Sequence, residues 1–486
     1  MDAYRMALTM IGLDANDRAP AEGAAYRARR RGILVEEYQK MRTDPDMYEL
    51  VCALAEASDE LPDPDLVREL ELTRQMMARE RLVSPADKAA FDEALNVSSQ
   101  MWLKYKAASD FDGYAPYLEP VVEGYKVMTE KMGGEGSLYD RMLDLNQPGW
   151  NKCRYDRFFE VIKARLVPLL DAIMAAEPVR EDFLHQSFPV DGQRAVMKKI
   201  TDYLGFTPDW GKMGEGEHPL TTPICAGDVR FTTKFREFQP VQGVFSTVHE
   251  SGHAWHAHGL DPKYDGWEIG ASVSAGLAES QSRLCENHLG RSLPFWEVML
   301  PLFQAAFPAR LKGVDAMDIY RAANAVKPSP VRTEADEVTY PLHILVRYEL
   351  EKEMMDGDLR VKDLKAAWNE KYKKYLGIVP ADDAEGVLQD MHWPYAYFGY
   401  FPTYALGSAA AAQFFAAMQR DLDVAQLLRS SRYPELMAWL GDKIHRFGNR
   451  FSMEEIIRMA TGEDFSTEYY VGWLERKYGE IYKIVV

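Results

Sequence analysis

The sequence predicts a mostly α-helical protein with one small β-sheet. Helical periodicity of the apolar residues, interrupted by short breaks at Pro and Gly, runs through most of the 486 residues. One segment departs from it, because Asp228 to Phe235 alternates polar and apolar residues and is rich in β-branched and aromatic side chains. The next segment, Gly243 to Leu260, is helical again and holds a short histidine motif. We therefore expect an elongated helical body with a long groove and a small sheet beside this helix.

The N-terminal part of the chain holds amphipathic helices without a cluster of reactive side chains. Pro64 to Glu80 and Arg154 to Ala176 are clear examples. We predict one unit over residues 1–486, in which residues 1–210 form a helical scaffold or lid and residues 211–486 carry the active region. Gly211 to Pro223, rich in Gly, is predicted to be the loop between the two parts.

Composition and charge exclude several classes of protein. The chain is 47% hydrophobic and 27% charged, as expected of a soluble globular protein with a large core. Its net charge of −18 argues against a nucleic-acid partner. We see no signal peptide and no apolar run long enough to cross a bilayer, so no membrane partner is expected. The four scattered cysteines are typical of reduced thiols and favour a cytoplasmic location.

The histidine motif is His249-Glu250-Ser251-Gly252-His253, an H-E-x-x-H pattern. On a helix, His249 and His253 point to the same side, so both imidazoles can reach one metal ion. Glu250 comes next to the first ligand, where it can act as a general base on a water molecule without binding the metal itself. The motif therefore predicts the metal site of a zinc peptidase.

The strand before this helix supports the same interpretation. A strand, a short link through Pro240 and Gly243, and then the motif helix is the order of elements expected of a zincin. In that arrangement an extended substrate lies along the edge of the strand, above the metal. We expect Asp228 to Phe235 to supply that edge.

Several residues near the motif are poor candidates for the third ligand. A metzincin would carry a histidine where this chain has Gly259, so that class is excluded. His256 and His258 lie off the face shared by the two motif histidines. Asp265 and Glu268 lie in a connection that contains Gly and Trp, which is a less rigid platform for a ligand.

A carboxylate from the following helix is the remaining choice. Ser272 to Leu289 is predicted to form that helix, with Gly290 as its C-cap. Spacing favours Glu279 over Glu286 but leaves both open. The residues early in this helix are small enough to let it pack closely on the motif helix; they are Ala275, Gly276 and Ala278.

Two arginines are candidates for binding a substrate carboxylate. Arg is the side chain best suited to bind a carboxylate through two hydrogen bonds, and Arg332 and Arg347 both lie in a later helical segment. The alternative is an ordinary ion pair, for example between Arg332 and Asp336 at i, i+4, and sequence alone favours it. Pro341 is expected to kink or break this segment.

The most aromatic part of the chain lies between Gly386 and Tyr404. His392 and Tyr400, both within it, can donate hydrogen bonds to an oxyanion, and the rings can line a side-chain pocket. Packing in the core explains the same residues equally well.

Taken together, the motifs resemble those of the carboxypeptidase Taq family of metallocarboxypeptidases. Leu220 and Ala278 replace a Phe and a His that the family usually carries, and residues 394–397 are bulkier than the small residues expected there. The matching segments, in order, are His218-Pro219, Asp228 to Thr232, His249 to His253, Glu279 to Gln281, Val331 to Asp336 and Gly386 to Trp393.

The resemblance implies a mostly helical fold with a long groove, a homodimer, and removal of single residues from the C-termini of peptides. It also implies Glu279 as the third ligand, beside His249 and His253, of a Zn²⁺ or Co²⁺ ion. We therefore predict Glu250, His392 and Tyr400 as catalytic residues of a metal-dependent carboxypeptidase. The predicted substrate-binding residues are Arg332, Arg347, Arg230, Gln389 and Asp390. The rival hypotheses are a zinc oligopeptidase and a non-catalytic helical binding protein with a decayed site.

Overall fold

The structure is a computed structural model that describes residues 1–17, 19–216, 218–271 and 274–485. Helices dominate it, and the predicted mostly α-helical fold class is confirmed. Both N-terminal helices singled out from periodicity are present. The helices before the sheet are α1 (Asp2–Asp17), α2 (Ala24–Arg42), α3 (Pro45–Glu56), α4 (Pro64–Arg81), α5 (Pro85–Ala108), α6 (Phe111–Met132), α7 (Leu138–Asn146), α8 (Lys152–Ala175) and α9 (Val190–Tyr203).

The sheet has three strands, β1 (Gly211–Glu215), β2 (Leu220–Cys225) and β3 (Asp228–Thr233), in the order β1-β3-β2. β1 runs parallel to β3, and β2 runs antiparallel to it. Two predictions were therefore wrong. Residues 211–215 and 220–223 form strands rather than a loop, and the predicted strand β3 is central rather than an edge. Pro223 is tolerated in β2 because that strand pairs on one side only.

The helices after the sheet carry the candidate site. The first, α10, begins with Pro240, whose missing N–H is not needed in the first turn. These helices are α10 (Pro240–His258), α11 (Ala275–Arg283), α12 (Leu293–Ala306), α13 (Ala316–Ala323), α14 (Tyr340–Asp356), α15 (Leu364–Leu376), α16 (Phe401–Asp421), α17 (Val424–Arg429), α18 (Tyr433–Lys443), α19 (Met453–Thr461) and α20 (Glu468–Tyr482).

Two predicted helices differ from the structure. The helix expected from Ser272 to Leu289 is α-helical only to Arg283 and continues as a π-helix over Leu284–Gly290, while its predicted start at Ser272 lies outside the described residues. Pro341, expected to break a helix, stands instead in the first turn of α14, where proline is favoured.

α11 packs closely between α10 and α16, and this packing fixes the position of its side chains along both neighbouring helices. A Cβ at Gly252 of α10 would lie 2.7 Å from the carbonyl oxygen of Gln281, and a Cβ at Gly407 of α16 would lie 2.8 Å from the Cβ of Glu279. These approaches require glycine on α10 and α16. The small residue Gly276 of α11, expected to face α10, lies against Gln147 and against Leu406 of α16 instead.

The main core runs from α5 to α20, and the sheet packs on α10 through its own small cluster. Val229, Phe231 and Thr233 of β3 are buried on the side of α10, as the alternating sequence predicts. Of the helices that the structure describes, none combines the length and the apolar character needed to cross a membrane.

Candidate active site

His249, His253 and Glu279 come together at the contact between α10 and α11. Glu279 Oε2 lies 3.8 Å from His249 Nε2 and 3.5 Å from His253 Nε2, and one ligand atom from each residue lies within 4.8 Å of the others. Ligand atoms of a tetrahedral zinc ion, at about 2.0–2.1 Å from the metal, lie about 3.4 Å apart. The spacing of these donors therefore fits a divalent metal such as zinc.

The charges around the three donors also fit a cation. Burial raises the pKa of Glu279, but Arg283 and His249 outweigh that effect and hold the pKa well below its usual range, so the group is a carboxylate. Burial lowers the pKa of His249, yet Glu279 and Glu286 outweigh it and raise that pKa. A field that favours positive charge on an imidazole also favours a metal ion at the same place.

Glu286 lies behind His249 rather than beside the other donors. Its Oε2 is 2.9 Å from His249 Nδ1, and its Oε1 accepts from Arg291 Nη2 at 2.9 Å. The hydrogen bond to Nδ1 leaves Nε2 of His249 unprotonated and directed at the cluster. Sequence spacing gave Glu286 only as a rival third ligand, because it could not show the π-helix that contains this residue.

Glu250 is 7% exposed and lines the groove. Thr221 of the edge strand β2 donates to Glu250 Oε2 at 2.5 Å and to the Glu250 carbonyl oxygen at 3.1 Å. These hydrogen bonds from Thr221 connect the sheet to α10 at Glu250, the residue that follows the first ligand. Sequence reasoning missed Thr221, because residues 211–223 had been assigned to a loop.

Arg332 and Arg347 share the carboxylate of Asp390. Arg332 Nε donates to Asp390 Oδ1 at 2.9 Å, and Arg347 Nε donates to Oδ2 at 2.6 Å. Burial raises the pKa of Asp390, but the two guanidinium groups outweigh it and hold the pKa well below its usual range. The ion pair that spacing favoured between Arg332 and Asp336 is not formed, since Asp336 accepts from the backbone N–H groups of the next turn.

The two arginines differ in their access to the groove. Arg332 lines it, whereas Arg347 is 0% exposed and lies outside its lining. Gln389 supports both, because its Oε1 accepts from the backbone N–H of Arg332 at 2.8 Å and from Arg347 Nη2 at 2.9 Å. Gln389 and Asp390, predicted to bind substrate, thus contact the arginines directly.

His392 and Tyr400 both line the groove. Burial and the nearby Arg332 lower the pKa of His392 to about 3, so its imidazole is neutral at pH 7. Its Nε2 lies 3.1 Å from the hydroxyl of Tyr404, while its buried Nδ1 has no hydrogen-bond partner in the described part of the chain. Burial and the charge of Glu279 raise the pKa of Tyr400 to about 12, which keeps the phenol protonated.

Other predicted or excluded candidates lie away from the donors. Arg230 is on β3 with its guanidinium paired to Asp228 at 2.8 Å, and it does not line the groove. His258 Nδ1 is 2.8 Å from the carbonyl oxygen of Ala226, and the ring of His256 lies 5.2 Å from that of His445. Neither histidine belongs to the donor cluster.

The groove is a cavity of about 1640 Å³ with walls from several parts of the chain. Trp102 and Lys106 of α5 contribute to it, together with β2, the motif helix and the turn that begins at Arg332. The donor cluster, Glu250 and Arg332 therefore open into one continuous space.

A helical protein whose H-E-x-x-H helix meets a carboxylate from the next helix, within a groove beside a small sheet, has the site of a metallopeptidase. Within that class, the chain belongs to the carboxypeptidase Taq (M32) metallopeptidase family, whose model matches residues 1–478. It is thus a metallocarboxypeptidase, which confirms the predicted family and class of activity.

Two bacterial carboxypeptidases are similar in sequence to this chain over nearly its whole length. Carboxypeptidase 1 of Bacillus subtilis is 35% identical over 481 residues, which are 99% of this chain and 96% of the relative. Thermostable carboxypeptidase 1 of Thermus thermophilus is 36% identical over an alignment of 495 positions, which covers 99% of this chain and 96% of the relative.

Solved structures agree with the fold. The M32 carboxypeptidase from Deinococcus radiodurans superposes with a TM-score of 0.95 at 33% identity, covering 99% of this chain and 97% of that one. The carboxypeptidase of Pyrococcus furiosus superposes with a TM-score of 0.93 at 31% identity, covering 98% and 96%.

Proposed function

We propose that this protein removes single amino acids from the free C-termini of peptides, with Glu250 as general base and a metal held by His249, His253 and Glu279. The observation that carries the proposal is that these donors, Glu250 and the groove-lining Arg332 open into the same cavity. A carboxypeptidase needs a group that binds the terminal carboxylate within reach of the group that activates water.

Arg332 binds the substrate carboxylate in this proposal. Its Nε and Nη2 are taken by Asp390, but Nη1 lies 3.4 Å from the hydroxyl of Tyr340, a long contact. One hydrogen of Nη1 and one of Nη2 therefore remain for a ligand in the groove. Arg347 supports Arg332 by sharing Asp390, and it is too deeply buried to contact substrate itself.

Glu250 takes the proton of the attacking water and passes it to the leaving amine. A metal held by His249, His253 and Glu279 would lower the pKa of that water and polarise the scissile carbonyl. Thr221 holds one oxygen of Glu250 and so fixes the plane of its carboxylate. Neutral His392 and protonated Tyr400 are the donors proposed to stabilise the negative charge that develops on the carbonyl oxygen.

We further propose Zn²⁺, with Co²⁺ as the alternative, because two imidazoles and one carboxylate suit these ions. A cytoplasmic location is supported by four cysteines that are all unpaired. A homodimer is proposed from the family resemblance alone, and the division into a lid and an active region near residue 210 stays a prediction.

The test of the mechanism is Glu250→Gln. The amide cannot accept the proton, so kcat is expected to fall by about 10²- to 10⁴-fold, while the protein keeps one metal ion per chain by elemental analysis. Glu297→Gln is the matched control, since Glu297 is an exposed carboxylate paired with Arg429. Activity of Glu250→Gln close to that of the control would contradict the general-base role.

A further inference from the structure

Arg283, the last residue of α11, contacts two carboxylates of the site at once. Its Nε donates to Glu279 Oε1 at 2.7 Å, and its Nη1 donates to Glu286 Oε2 at 3.2 Å. The side chain is 14% exposed and its guanidinium lies 4.1 Å from the centre of the Tyr340 ring. Hydrogen bonds between charged groups in such a buried place fix the orientation of both partners.

The contact with Glu279 involves one oxygen only. Oε1 is held by Arg283, while Oε2 faces the two imidazoles at 3.8 and 3.5 Å. A carboxylate can bind a metal through one or both of its oxygens. Swinging Oε1 toward the donor cluster would break a charge-assisted bond and leave Arg283 with one partner fewer in a buried site.

Arg283 also contacts Glu286, which lies behind His249 of the donor cluster. Glu286 Oε2 accepts from Arg283 and also lies 2.9 Å from His249 Nδ1. The same guanidinium therefore orients a carboxylate ligand directly and an imidazole ligand through one intermediate group. Outer groups of this kind orient the residues that hold a metal.

We propose that Arg283 is a positioning residue that restricts Glu279 to one metal-binding oxygen and so keeps one metal position open for water. This inference rests on the proposed function, in which His249, His253 and Glu279 hold the metal. A catalytic zinc site needs three protein ligands and one free position, and a second oxygen from Glu279 would fill the free position.

The test compares Arg283→Gln with Arg291→Gln, both loaded with Co²⁺. Arg291 is a close match, because it is 12% exposed and donates to Glu286 at 2.9 Å, while its other hydrogen bond goes to the carbonyl oxygen of Ala323 rather than to Glu279. We expect the visible absorption bands of four-coordinate cobalt to weaken in Arg283→Gln, as the second oxygen of Glu279 binds, and to stay as in the wild type in Arg291→Gln. We also expect kcat to fall about 10- to 100-fold in Arg283→Gln.

A cobalt spectrum of Arg283→Gln identical to that of the wild type would overturn the proposal, as would equal spectral changes in the two variants. If Arg283→Gln does not fold, Arg283→Lys keeps the charge but loses the planar fork. Its bands are expected to be weaker than those of the wild type, and unchanged bands overturn the proposal. A wild-type protein that binds no cobalt would instead refute the proposed function.

Discussion

Replacement of Arg332 by glutamine is the perturbation that best separates the two candidate arginines. Arg332 lines the groove and keeps an N–H of Nη1 for a ligand. Arg347 pairs with the same Asp390 but is fully buried. Arg332→Gln should therefore weaken recognition of the substrate carboxylate. Arg347→Gln, which removes the same charge, should mainly lower stability.

The size of the effect follows from the hydrogen bonds that are lost. Of the five N–H hydrogens of Arg332, Asp390 accepts two and Tyr340 accepts one, which leaves two for a carboxylate. At the low end of about 1.5–3 kcal/mol for each bond to a charged group, the loss is about 3 kcal/mol. That corresponds to about a 150-fold decrease in kcat/KM.

The assay is kcat/KM for a short peptide with a free C-terminus, measured for the wild type and both variants at one metal content. Arg347→Gln should lose about 3–5 kcal/mol of unfolding free energy in urea, because it leaves part of a buried ion pair uncompensated, and should change kcat/KM less than Arg332→Gln does. A value for Arg332→Gln within threefold of the wild type would refute this role of Arg332. So would a larger decrease in Arg347→Gln.

Three further predictions concern stability. Asp390→Asn removes the carboxylate between two arginines, and its unfolding free energy in urea should fall by about 3–5 kcal/mol; a loss below 1 kcal/mol would contradict the pairing. Burial raises the pKa of Glu351 from 4.5 to about 7 in spite of the hydrogen bond from Trp393. The pKa of Glu351 is higher in the folded state than in the unfolded state. The contribution of this group to stability is therefore fully present below pH 4.5 and is lost as the pH rises through 7. The wild type should lose about 3 kcal/mol relative to Glu351→Gln over that range, and parallel pH profiles of unfolding would contradict it. Chelation of a metal present at 100 times its Kd should lower the unfolding free energy of the wild type by about 2.7 kcal/mol, with no change in His253→Ala; equal shifts in both would place the metal elsewhere.

The features that sequence predicted well depend on residues close together in the chain. His249 and His253 are one helical turn apart, and the alternation of β3 spans six residues, so periodicity alone places them. The strands β1 and β2 were missed because Gly and Pro hide short edge strands, and Pro223 is allowed in an edge strand.

The features that sequence could not predict depend on distant residues or on irregular backbone. Arg332 pairs with Asp390, 58 residues further along the chain, while spacing could suggest only a partner one turn away. Glu286 reaches His249 from a π-helix, whose different angular spacing an α-helical pattern does not represent. Arg283 contacts both Glu279 and Glu286, and the spacing of these residues in the sequence does not show that one guanidinium reaches both carboxylates.

Carboxypeptidase activity is tested most directly by mass spectrometry of an unblocked peptide and its C-terminally amidated twin after incubation with the metal-loaded protein. We expect stepwise loss of single C-terminal residues from the free acid and an intact amide, since Arg332 is proposed to bind a carboxylate. Internal cleavage of both peptides would contradict it and favour an endopeptidase, and no cleavage of either would favour a decayed site.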